Sequence, residues 1–369
     1  MRLLQKECGK CLRHPFLWIV CITFGLFQFL SIYTYVGNAG MRKELRQMHV
    51  AVTDEETASP EYESAYADYK KTYGGMYDTL DMRKILEQKE KRSGYEPQGV
   101  WGSWIVRNYD RLQKRVEQIR KTGEGTYAFY PGSWYKLHTT LYGKLWKKLI
   151  LQTAVLMILS MLYLMDYERI YKTQDLVLAT TTGKKMMEKK MLAGALCGLF
   201  YAGLLTAFTL LVFFAAVPFQ NLWHVPVAAC MVAEPRLQMM YPFVTFWRLE
   251  QWRYLLLALV VLVGLLGIVA AVTAAVQLFL QNSYFSFAVL GLLFMGAYLL
   301  AYVQMGNVWD LIRELFNPTV LYATSGGWFM ENDLCLSFAG NEFAVLFCCG
   351  TAAVCLMAVG KRRYHRLEV

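Results

Sequence analysis

Hydrophobic and polar positions divide this chain into long uncharged runs separated by charged or mixed stretches. Six runs contain no Asp, Glu, Lys, Arg or His: 15–36, 149–165, 191–217, 254–280, 284–305 and 343–360. A helix rises about 1.5 Å per residue, so roughly 20 apolar residues cross the hydrocarbon core of a bilayer. Four runs meet that length comfortably, while 149–165 and 343–360 are short and need flanking Tyr, Trp and Lys. Buried helices of soluble proteins rarely stay uncharged over such lengths. The pattern predicts an all-α integral membrane protein with six transmembrane helices and an α-helical external domain at 37–148, between the first and second spans.

Inside that external segment a second periodicity appears. Tyr62, Tyr66, Tyr69, Tyr73, Tyr77 and Leu80 recur at four and three, as do Ile105, Tyr109, Leu112, Val116 and Ile119. The simplest packing is an antiparallel helical pair with an aromatic seam, joined through SGYEPQGVWGS (93–103) as a loop. Such a stripe fits a core better than a ligand site. At the other extreme of the chain, Arg2, Lys6, Lys10 and Arg13 share one helical face and Leu4, Cys8, Cys11 and Leu12 another, which predicts a short amphipathic helix over 1–14 on the inner leaflet. The apolar run after it is too long for a secretion-signal core, so 15–36 reads as a retained span.

Composition supports the membrane class, with 56% apolar residues, 24 Tyr and 21 Phe. The net charge of +10 reads as topology and attraction to anionic lipid, not as nucleic-acid binding. Lys and Arg resist translocation. Three short basic segments, 1–14, 166–190 and the tail 361–369, fall on one side of a six-span chain, which predicts a multi-pass cell-membrane protein with both termini cytoplasmic. Lys144, Lys147 and Lys148, beside the second span, depart from that rule locally.

The connections 218–253 and 306–342 are aromatic and apolar yet broken by Pro, Gly and charge. They read as half-helices dipping into the outer leaflet, with Trp223, Trp247, Trp252, Trp309 and Trp328 at interfacial positions. Cys230 and Cys335 fall in these connections, and a disulfide between them is open. Cys8 and Cys11 have a metal-like spacing without a second pair to complete four ligands. No nucleophile elbow, zinc-protease helix or phosphate loop occurs, since TTTGKK lacks the earlier glycine of a P-loop, so no enzymatic chemistry, metal or cofactor is expected in the chain. Ion-coupled carriers keep ionisable groups at mid-membrane, and the six runs have none. Small residues at Gly194, Gly198, Ala202 and at Gly264, Gly267, Ala271 fit close helix packing.

The insert 166–190, DYERIYKTQDLVLATTTGKKMMEKK, is the charged island between the second and third spans. With six spans, an amphipathic start and a large external insertion, it resembles the permease subunit of a type-2 ATP-binding-cassette (ABC-2) exporter. In that family the segment opens with acidic and Arg residues, runs through an apolar stretch to a Thr/Ser turn, and ends with Lys entering the third span. Here Glu168 and Arg169, Leu176, Val177 and Leu178, Thr180 to Gly183, and Lys189 or Lys190 stand in those places, with Tyr171 and Lys172 where Gly-Thr is usual. FNPTVLYATSGG (316–327) is similar to the family's re-entrant segment, while 37–148 matches no part of it.

The resemblance implies two permease halves, as homodimer or heterodimer, each docked on an ABC ATPase subunit that binds ATP and Mg, with amphipathic peptide, lipid or drug as cargo. Leu176 to Leu178 would fill a groove on the ATPase, and Lys184, Lys185, Lys189 and Lys190 would hold lipid headgroups or ATPase acids. A path lined by the second and fifth spans would include Gln152, Ser160, Tyr163, Tyr298, Tyr302 and Gln304. The competing class is a membrane sensor or scaffold whose external helical pair binds a ligand or partner.

Overall fold

A computed structural model describes residues 2–37, 64, 67, 71, 75–93, 99–125, 133–173, 183–217, 219, 222–231, 244–303, 308–331 and 338–367. Among these residues the protein is helical. Its only extended pairings there are isolated bridges between Pro226 and Glu250 and between Thr245 and Met330. Six helices are long and apolar enough to cross a membrane: Pro15–Val36, Lys136–Met165, Met186–Ala216, Gln251–Leu280, Ser283–Ala301 and Asn341–Tyr364.

Local sequence sets where these spans begin and turn. Pro15 opens the first span, where its missing N–H costs nothing. The fourth and fifth are joined by Gln281, in the left-handed region, and Asn282, whose side chain accepts from the Tyr284 and Phe285 N–H groups as the cap of the fifth. The second span departs most from its uncharged run. It starts well before 149, passes through a π-helical stretch at Thr139–Leu145 and continues to Met165. The apolar core therefore includes Leu137, Leu141, Tyr142, Leu145 and Trp146, which lie outside the run because His138, Lys144, Lys147 and Lys148 interrupt it.

Packing makes the second span the centre of the bundle. Of its apolar window 61% is buried against the rest of the chain, against 17% for the fifth span, which lies at the edge. The third span approaches the second closely. A Cβ on Gly198 would sit 3.0 Å from the Met157 Cα, so only glycine permits this crossing. Gly194 meets Met161 in the same way, and Gly264 abuts Leu346 of the sixth span, but Gly267 faces open space. Thus the stripe at 194–202 is a packing seam, and that at 264–271 is one only at its first glycine.

The helical pair takes a different form from its expected outline. Helix Met82–Ser93 packs on helix Gly99–Thr122 and buries Ile105, Tyr109, Leu112, Val116 and Ile119. Residues 99–103 are helix, not loop, because Gly99 adopts a positive φ and starts the helix before the Val100–Ser103 segment. Tyr77 and Leu80 are buried in the preceding turn rather than in a helix, and Tyr62, Tyr66, Tyr69 and Tyr73 lie outside the described residues. Ala228 and Val244 complete this core, so the pair is seated on the connection between the third and fourth spans, on the face opposite the chain termini. Buried Arg115 fixes it there, gripping Glu124 through two nitrogens at 3.1 and 2.5 Å and donating from Nε to the Thr245 carbonyl. Lys89 pairs with buried Glu331 beside it.

The connection between the fifth and sixth spans does contain short helices, Val308–Leu315 and Thr319–Ala323. Its Gly326 backs onto the π-helical stretch, where a Cβ would lie 3.0 Å from the Gly143 Cα. Trp328 is not interfacial. It is 1% exposed, with Nε1 donating to the Leu321 carbonyl, because this connection folds back into the bundle and makes the indole part of the core. Trp247, Trp252 and Trp309 remain exposed.

Candidate functional site

The N-terminal helix Arg2–Leu12 has the two faces its sequence predicts, and its apolar face lies on the third span. Tyr201 donates to the Cys11 carbonyl at 3.4 Å, the Cys197 thiol approaches the Cys8 carbonyl at 3.8 Å, and Trp18 Nε1 caps the helix end at the Leu12 carbonyl. Burial, with the Cys197 thiol beside it, pushes the Cys8 thiol up to about 11. Among the described residues no group of three His, Cys, Asp or Glu side chains could hold a metal ion.

On the polar side of that helix the two ends of the 166–190 insert converge. Glu168, from the short helix Tyr167–Ile170, pairs with Lys190 and accepts from Lys10 Nζ at 3.3 Å. Lys10 also holds Glu7 at 2.7 Å and lies over the Tyr167 ring, 4.5 Å from its centroid. Glu7, Glu168 and Lys190 are 1%, 6% and 4% exposed, so the charges are desolvated and survive only by compensating one another. One residue earlier, the Asp166 carboxylate receives the Ser283 N–H at 3.4 Å at the start of the fifth span, and Ser283 Oγ donates to the Leu162 carbonyl. Glu188 pairs with Lys361 at the end of the sixth span. The insert's stem is therefore tied to the N-terminal helix and to the third, fifth and sixth spans.

The structure places only the two ends of the insert, up to Thr173 and from Gly183 on. Glu168 and Lys190 form the buried pair, while Arg169 and Lys189 are exposed beside it. Gly183, Lys184 and Lys185 begin the helix that becomes the third span. Leu176, Val177, Leu178 and Thr180 lie outside the described residues. Lys10 was read only as part of the basic face, and Glu7 and Asp166 were not singled out by sequence, although Glu7 is the only acid among the first 14 residues and so marked an interruption of that face.

The path residues are distributed rather than gathered. Gln152 is buried and accepts from Gln28 of the first span at 2.8 Å. Ser160 is fully buried, with Oγ lacking a protein partner. Tyr163 packs against His14 with the rings tilted and their centroids 4.2 Å apart, at the termini end. Tyr298 and Tyr302 share a 3.0 Å hydrogen bond and meet Tyr322 at the opposite end of the fifth span. That span has 19 residues, about 28 Å of rise, so Tyr163 and Tyr302 mark opposite faces. Gln304 lies outside the described residues, as does Cys335, whose suggested partner Cys230 ends the short helix Val227–Cys230.

No family model, characterised protein or solved structure matches this chain.

Proposed function

We propose that this chain is the permease subunit of an ATP-driven exporter of the ABC-2 type, with 166–190 as the joint that a separate ATPase pushes. The observation that carries the proposal is the Glu7–Lys10–Glu168–Lys190 cluster. A coupling element must pass force to several helices at once, and this stem is bonded to the N-terminal helix and, within a few residues, to the starts of the third and fifth spans. In this reading the termini side is cytoplasmic, since it carries the basic N-terminal segment, the insert and the basic tail. The helical pair at 82–122 is then external, and the exposed fifth span is available to lipid or to a second permease copy. ATP and Mg belong to the partner chain, and the cargo is an amphipathic peptide, lipid or drug.

The test is co-purification of an ATPase followed by transport in sealed vesicles. Val177→Asp should abolish ATP-dependent flux while the protein still folds and inserts. Stable insertion with full flux in that variant removes the coupling role. A sensor or scaffold would instead keep its output with a catalytically dead ATPase partner.

A further inference from the structure

The three lysines that depart from the charge rule form a second cluster, at the opposite end of the second span from the joint. Lys144 and Lys148 are four residues apart on one helical face, and both ammonium groups lie 4.9 Å from the ring centroid of Tyr35 on the first span. Lys148 Nζ also donates to Ser31 Oγ at 3.0 Å and to the Tyr35 hydroxyl at 3.2 Å. Lys147, on the adjoining face, donates to the Ala323 carbonyl at 3.2 Å over the Tyr322 ring. Among the described residues every one of these partners is neutral. Two like charges at helical i,i+4 spacing over one phenol repel each other, and among the described residues no carboxylate pairs with either. Ordinary flanking lysines relieve this by extending into water, but Lys147 and Lys148 are turned toward neighbouring elements and half-buried.

We propose that Lys144 and Lys148, with Lys147 beside them, bind the phosphate of an anionic amphiphile lying in the leaflet on the side opposite the chain termini. Ser31 and Tyr35 accept from Lys148, which leaves their own O–H protons to donate to an anion, so the cluster offers ammonium and hydroxyl donors together. Lysine holds phosphate as a point charge with three rotatable donors. The tail has a surface to follow. Phe27, 5.2 Å below Lys148, is half exposed on the same stripe of the first span as Ser31 and Tyr35. The site stands apart from the permease reading, because it is defined by binding alone.

The test uses the full-length chain in neutral detergent, with bound lipid counted by native mass spectrometry. The probes are dioleoyl phosphatidylglycerol, dioleoyl phosphatidylcholine and inorganic phosphate. Phosphatidylglycerol should bind at least about tenfold tighter than phosphatidylcholine, and K144Q/K148Q should lose that preference while K114Q/K121Q, on the exposed face of helix Gly99–Thr122, keeps it. Equal binding of the two lipids, or equal loss in both double variants, overturns the site. Displacement of phosphatidylglycerol by millimolar inorganic phosphate overturns the amphiphile and assigns a free anion. Should K144Q/K148Q not fold, acetylation of the wild-type chain decides: phosphatidylglycerol should shield Lys144 and Lys148 but not Lys114, and unchanged labelling of all three refutes the proposal.

Discussion

Replacing Glu168 and replacing Lys190 should not be equivalent, although the two residues form one ion pair. When Glu168 becomes Met, Lys10 keeps Glu7 at 2.7 Å, but Lys190, 4% exposed, loses its direct partner and has as acidic neighbours only Glu7, already engaged by Lys10, and Asp166. Stranding a buried charge costs about 3–5 kcal/mol. When Lys190 becomes Met, Glu168 still accepts from Lys10 at 3.3 Å. That loss is closer to one hydrogen bond to a charged group, about 1.5–3 kcal/mol. The double variant removes both desolvated charges and leaves Lys10 with Glu7, so it should lie within about 1 kcal/mol of wild type. The assay is reversible unfolding in mixed micelles for all four proteins of the cycle. Non-additivity above about 2 kcal/mol, with Glu168→Met the worse single change, is the expected result. Equal single effects, or additivity, would mean that Glu168 and Lys190 are solvated separately and that the joint is not a buried network.

Four further outcomes follow from the packing. Gly198→Val should destabilise the bundle by about 1–3 kcal/mol in the same unfolding assay, because its Cβ would fall 3.0 Å from the Met157 Cα. Gln28→Leu should cost about 0.5–1.5 kcal/mol by leaving Gln152 unpaired, and the Gln28→Leu/Gln152→Leu double variant should recover most of it. Arg115→Met should free the helical pair from the Thr245 segment, read as faster proteolysis within 99–125 while the spans stay intact; unchanged cleavage refutes that anchor. Cys8 binds its proton more tightly when folded, its thiol being pushed from 9.0 to about 11, so its stabilising contribution is present below pH 9 and is lost as pH rises to about 11. Melting temperature measured across that window should fall more steeply for wild type than for Cys8→Ala.

The spans were legible because lipid imposes one requirement, an apolar surface over a fixed length, and sequence states it directly. Their ends were not. An uncharged run stops at the first Lys, yet Lys147 and Lys148 continue the second helix by donating to Ala323, Ser31 and Tyr35, partners more than a hundred residues away in sequence. The stripe from Ile105 to Ile119 announced a helix correctly, whereas Tyr77 and Leu80, in phase with an aromatic stripe, are core residues of a turn. Periodicity records which residues are buried, and a turn seated on a hydrophobic surface buries residues as well as a helix does. The Glu7–Lys10–Glu168–Lys190 cluster was half visible. The family resemblance drew attention to Glu168 and Lys190, but that Glu7 and Lys10 complete the cluster depends on the N-terminal helix docking beside the insert, a contact between positions 158 residues apart.

The second span now connects the two charged clusters. Its termini-side end leads directly into Asp166 and Glu168, and its other end carries Lys144 and Lys148. Between them it is the most buried of the six helices, so its middle has little freedom to move without repacking Met157 and Met161 against the third span. The one irregular stretch is the π-helical segment Thr139–Leu145, which holds Lys144 and faces Gly326. Such segments give a helix a place to change its register locally. A displacement of the insert would therefore reach the lysine cluster as movement of a nearly rigid rod, absorbed where the rod is irregular. On this reasoning Gly326→Val, which wedges the π segment without touching the joint, should alter phosphatidylglycerol binding at Lys144 and Lys148 and leave the Glu168–Lys190 cycle unchanged. A shift in both, or in neither, would separate the two ends of the helix as independent features.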